Sequence, residues 1–181
     1  MTDAIETALP LVGVSACLLG ERVRYDGAHK YAPDVIDALS SFVRWEAICP
    51  EVAAGLPIPR PPMWLSPASG GLRLLTHDGT ADHTLALVNV AESTIRDLLA
   101  RGLTGFVAKA RSPSCGVGDA PVMDLRDPSH PEAIDHTSGL FIQVLERLGP
   151  KIPIATDEQL HDTVQRTRFL EQVRRVFESG S

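Results

Sequence analysis

Four short apolar runs, Leu11–Ser15, Val43–Cys49, Gly105–Ala110 and Ile152–Ala155, recur along the chain, and helix-periodic segments lie between them. Strands that alternate with helices build a parallel sheet covered on both faces. The helical segments are legible from their apolar spacing. Val35, Ile36, Leu39 and Phe42 follow Pro33, and Leu87, Ala91, Ile95 and Leu98 precede Gly102. A third helix over 138–148 stops at Gly149-Pro150, and Thr156-x-x-Gln159 makes a capping box for a last helix carrying Leu160, Val164, Leu170, Val173 and Phe177. The pattern predicts one Rossmann-like α/β domain over residues 1–181, with residues 1–10 as a flexible polar leader. The stretch 55–67 is proline-rich and reads as irregular but stiff, and the uncharged segment from Pro61 to Leu72 reads as a lid. Leu72–Thr76 reads as an edge strand turning at Asp78-Gly79.

In a doubly wound sheet, ligands bind beyond the carboxyl ends of the strands. Cys17 lies just past the first run, Cys49 ends the second and Cys115 lies just past the third. A parallel sheet therefore brings all three thiols to one edge. Taken alone, such residues suit several roles. Cysteine packs well in cores, and one thiol with one of the six histidines makes a nucleophile pair. Structural zinc wants four closed ligands, commonly in CxxC pairs, and the chain has no CxxC. Three thiolates on an iron–sulfur cubane leave one iron open, able to act as a Lewis acid on a soft substrate atom.

Charge and hydropathy narrow the class. The 181 residues carry 17 basic and 23 acidic side chains, a net charge of −6, which argues against a protein that grips a nucleic-acid polymer. No run approaches the roughly 18 apolar residues of a membrane helix. The acidic start Met-Thr-Asp-Ala-Ile-Glu is unlike a secretory signal. The expected location is the cytoplasm, where thiols stay reduced. The expected state is a monomer or small homo-oligomer.

Three motifs carry a resemblance. Val14-Ser-Ala-Cys-Leu-Leu-Gly20 is followed by Val23-Arg-Tyr-Asp-Gly27 and Lys30; Cys49-Pro-Glu51 is followed by Gly55 and Pro59-Arg60; the third is Lys109-Ala-Arg-Ser-Pro-Ser-Cys-Gly116. Together, and in this order, they resemble the 2-thiouracil desulfidase family over about residues 11–155, in a short stand-alone form. The resemblance implies a [4Fe-4S] cluster on Cys17, Cys49 and Cys115 with one open iron, and removal of sulfur as sulfide from thiolated uracil bases, nucleosides or nucleotides by a non-redox route. It implies an acidic catalytic residue at Glu51 and an active-site serine at Ser112, with Ser114 the competing assignment. The substrate class is a small thiolated pyrimidine. The alternative function is an iron–sulfur or zinc sensor module without turnover.

Other residues of these motifs suit substrate binding. Arg24, Lys30, Arg60 and Lys109 read as a cationic rim able to take a phosphate, or equally as solvated charges. Tyr25 reads as a stacking surface for a base or as a packed loop residue. Asp26 either orients Arg24 or Lys30 or supports the turn at Gly27. Trp45 and Trp64 read as core or lid residues.

Overall fold

A computed structural model describes residues 9–127 and 129–180. The expected leader lies almost wholly outside the described residues. The first sheet is built from β1 (Leu11–Ser15), β2 (Arg44–Ile48), β5 (Leu103–Ala108) and β8 (Ile154–Thr156), in the order β2-β1-β5-β8 with every pairing parallel. β1 and β5 sit in the middle and are buried at every position. A strand covered on both faces reads as a continuous apolar run, which is why these two were visible in the sequence.

Helices cover both faces. α1 (Pro33–Leu39) and α6 (Thr163–Ser179) place Val35, Ile36, Leu39, Phe169 and Val173 against Val12, Val14 and Val107. On the other face α3 (Thr84–Ala100) and α4 (Leu140–Leu148) bring Ile95, Leu98, Phe141 and Leu145 against Phe106 and Ala108. The Thr156–Gln159 capping box forms, but it opens the short helix α5 (Asp157–Leu160) rather than the last helix. Asp162 caps α6 instead, its carboxylate accepting from the Gln165 amide. The break turns the helix face, so Phe169 is buried and Val164 is exposed.

A second sheet was not expected. β3 (Met63–Ala68), β4 (Gly71–Thr76), β6 (Ala120–Asp124) and β7 (Glu132–Thr137) pair in the order β4-β3-β6-β7. The segment read as a lid is thus strand β3, with Leu65 buried against Leu74, Leu87, Val122 and Leu140. Pro67 and Pro121 hid these strands, because proline lacks a ladder donor. Both nonetheless pair in antiparallel ladders, Pro67 with Leu72 and Pro121 with His136, while β3 and β6 share the single registered pair Leu65 with Val122. Among the described residues no helix is long and apolar enough to cross a membrane.

Candidate active site

Each cysteine is delivered by the end of a parallel strand. β1 runs into a one-turn 3-10 helix, Ala16–Leu19, stopped by Gly20 at φ 93°, and this turn holds Cys17. β2 leads directly into Cys49, the N-cap of the single-turn α2 (Pro50–Ala53). β5 leads into the loop that ends at Cys115. The N-terminus of α4 fixes that loop: the Leu140 and Phe141 amides donate to the Pro113 and Ser114 carbonyls at 3.1 and 3.0 Å. Only glycine permits the approach, since a Cβ at Gly139 would stand 2.4 Å from the Ser114 carbonyl carbon. All three thiols are unbridged and line one cavity of about 350 Å³ between the first sheet's carboxyl edge and the start of β3. A volume near this suits a small ligand. Among the described residues no histidine lines it.

Burial raises all three thiol pKa values, and neighbouring thiols add to the shift at Cys17 and Cys115. Cys17 is pushed up from 9.0 to about 11, by burial first and then by Cys49, while Lys109 and Arg24 oppose the shift. Cys115 is raised by burial, with Cys17, Cys49 and Glu51 adding to it and the Ser15 hydroxyl opposing. Cys49 is also raised by burial, against the Val52 amide. The folded chain keeps the Cys17 proton in a range where the unfolded chain has lost it, so stability is full below pH 9 and falls as pH rises toward about 11. Urea unfolding of the cluster-free protein across this range should show the decline, and Cys17→Ala should lessen it by the Cys17 share while the shares of Cys49 and Cys115 persist.

Glu51 sits on α2 at the cavity wall with both oxygens engaged. Oε2 accepts from Arg60 Nε at 2.8 Å and also from Arg60 Nη2. Oε1 accepts from the Ser114 hydroxyl at 2.6 Å. Arg60 is only 8% exposed, and its remaining donors go to the Val23 carbonyl at 2.9 Å and the Pro57 carbonyl at 3.1 Å. Arg60 lines the cavity with Arg24 and Lys109, and its guanidinium is engaged by the Glu51 carboxylate, which it anchors. Both candidate serines, Ser112 and Ser114, line the cavity, and the Ser114 hydroxyl is the one that touches the Glu51 carboxylate. Ser112 Oγ lies 3.2 Å from Ser114 Oγ and accepts from the Cys115 amide at 3.1 Å, the turn-supporting role of a serine before proline.

Arg24, Tyr25 and Lys109 line the cavity, as does Trp64. The Arg24 guanidinium lies 5.5 Å from the Tyr25 ring centroid and pairs with Asp26. Asp26 and Lys30 do not line it. Asp26 accepts from the Ala28 amide and supports the Gly27 turn, and the Lys30 side chain is exposed while its amide donates to the Cys17 carbonyl. Trp45 packs on the core of the first sheet and donates its indole N–H to Ser40. Sequence reasoning missed Asp157, whose carboxylate accepts from the Ala110 amide at 2.7 Å beside Lys109. Its capping box was legible, but the direction of its side chain was not.

The donor set fits an iron–sulfur cluster. Three thiols on one cavity, each with its pKa raised by burial, become thiolates together only with strong positive charge among them, which a cluster brings. Among the described residues no three His, Cys, Asp or Glu side chains converge on a point that a single ion would occupy.

A solved structure of a [4Fe-4S]-dependent thiouracil desulfidase, TudS, is similar to this chain, at 34% identity and a TM-score of 0.68, over 88% of this chain and 98% of that one. Comparison with curated proteins returns no match. The 2-thiouracil desulfurase family matches residues 12–157, which contain all three cysteines, Glu51 and both serines, and the chain belongs to that family.

Proposed function

We propose that the chain, as a single domain, hydrolyses thiolated uracil bases, nucleosides or nucleotides to the oxo compound and sulfide, with a [4Fe-4S] cluster held by Cys17, Cys49 and Cys115. What supports the reading is the opening of the Glu51–Ser114 pair onto the cavity that all three thiols line. The cluster, when bound, supplies a Lewis-acidic iron that draws the thiocarbonyl sulfur and polarises the C–S bond.

The chain's own residues do the rest. Arg60 holds Glu51 in place with a charge-assisted contact, so the carboxylate needs no rearrangement to act. Glu51 accepts a proton from water as the water oxygen bonds to the ring carbon. Ser114 sits at the second carboxylate oxygen and relays or steadies that proton. The C–S bond breaks with its electron pair on sulfur, which takes up the proton held by Glu51 and leaves as hydrosulfide, restoring the carboxylate. The second water proton returns to solvent, and no electron is gained or lost overall. Arg24, Tyr25 and Lys109 form the wall that orients the ring.

Turnover of 2- and 4-thiouracil, the thiouridines and their monophosphates by the reconstituted protein in 18O-water tests this. The reading expects sulfide without added reductant, and one 18O in the product. Unlabelled product, or dependence on an electron donor, contradicts it. Ser114→Ala should lower kcat by about 10²-fold with iron content unchanged, whereas Ser112→Ala should lower it less than about tenfold.

A further inference from the structure

Asp157 is the only fully buried carboxylate among the described residues, 5% exposed. Buried carboxylates are paired, because an isolated charge is costly to desolvate. Its backbone is locked by the capping box, with the Gln159 amide donating to Thr156 Oγ at 3.1 Å and the Thr156 amide to Gln159 Oε1 at 2.9 Å. One carboxylate oxygen accepts from the Ala110 amide at 2.7 Å, and the other lies 3.8 Å from Lys109 Nζ. The same ammonium donates to the Ala110 carbonyl at 2.8 Å, and its side chain is only 13% exposed. A lysine ammonium is strongly hydrated and sits on a flexible stem, so without a fixed partner it turns to solvent.

We propose that Asp157 is a positioning residue that pins the Lys109 ammonium in the cavity wall beside Cys17. Thiolates, Glu51 and a departing hydrosulfide are all anionic; Arg60 is already spent on Glu51, and the pinned ammonium adds a second fixed positive charge to the cavity lining. This use of the charge rests on the desulfidase reading; the pinning does not.

Lysine acylation followed by mass spectrometry tests the pinning on the folded, cluster-free chain. The chain has three lysines, and Lys30 and Lys151 are exposed references. Lys109 should label about tenfold more slowly than both, and Asp157→Asn, which keeps an acceptor for the Ala110 amide, should bring it close to them. If Lys109 in the unaltered chain labels as fast as Lys30, or if folded Asp157→Asn leaves its rate unchanged, the proposal is overturned. The unaltered chain alone decides the first comparison, whatever the variant's folding.

Two readouts on the loaded enzyme separate positioning from simple support. Asp157→Asn and Lys109→Met should each lower kcat about tenfold, and the double variant should lose no more than either; additive losses overturn the proposal. Lys109→Met should lower the cluster's midpoint potential by removing a cation. Asp157→Asn should shift it the same way if the ammonium leaves with its anchor, and the opposite way if Asp157 acts only as a nearby charge. An unaltered enzyme that loads no iron or releases no sulfide sinks the desulfidase reading, while the labelling result still decides the pinning.

Discussion

Alanine at Cys17, Cys49 or Cys115 should each remove the bound iron and all measurable sulfide release. The expected iron content falls from about four per chain to well below one, because a cubane left with two thiolates is not retained. Among the described residues no fourth thiol is present to substitute for a lost one. The fold should survive, since Cys→Ala removes one atom from a site already next to a cavity, at a cost of about 1 kcal/mol. Iron analysis, cluster absorbance and a thermal melt on the same preparation separate these effects. A single variant that keeps full iron and full turnover is not missing a ligand. One that loses iron by unfolding, with a melt lowered by tens of degrees, would trace the loss to structure.

Glu51→Gln should keep the cluster and lose turnover by about 10²–10⁴-fold, the usual contribution of a positioned proton acceptor. The substitution is isosteric and leaves Ser114 an acceptor, so the geometry around Oε1 persists. It removes the charge that Arg60 faces. Arg60 is almost fully buried and would be left with carbonyl partners only, which destabilises the fold by about 3 kcal/mol, reduced where water reaches the edge of Glu51. Kinetics therefore belong well below the melting temperature of the variant. The expected signature is unchanged iron, a lower melt and a fall in kcat with little change in KM. An unchanged kcat removes Glu51 from the mechanism and leaves it as Arg60's structural counter-ion.

The first sheet was legible because its strands obey the rule for parallel sheets: β1 and β5 are buried on both faces and read as unbroken apolar runs. From that alone, the meeting of three cysteines far apart in sequence follows, because parallel strands share one carboxyl edge. The second sheet was not legible. β3 carries Pro67, β6 carries Pro121, and β7 is a polar, exposed edge without alternation. What looked like a lid is a paired strand whose start walls the cavity. Side-chain direction was the other limit. Ser112 and Ser114 flank the same proline, and only the loop path set by Gly139 and α4 decides that Ser114 meets Glu51. Arg60 read as a rim charge because sequence shows its sign and not its partner. Asp157 read only as part of a helix start, since a capping box reports the backbone and says nothing of where the carboxylate points.

Anaerobic reconstitution, followed by iron, acid-labile sulfide and substrate-derived sulfide determined on one sample, decides whether the chain is a cluster-dependent desulfidase. About four irons and four labile sulfides per chain are expected, with hydrosulfide released in step with uracil or uridine product. Zinc in place of iron, or a fully loaded cluster that releases no sulfide from any thiolated pyrimidine, would contradict it.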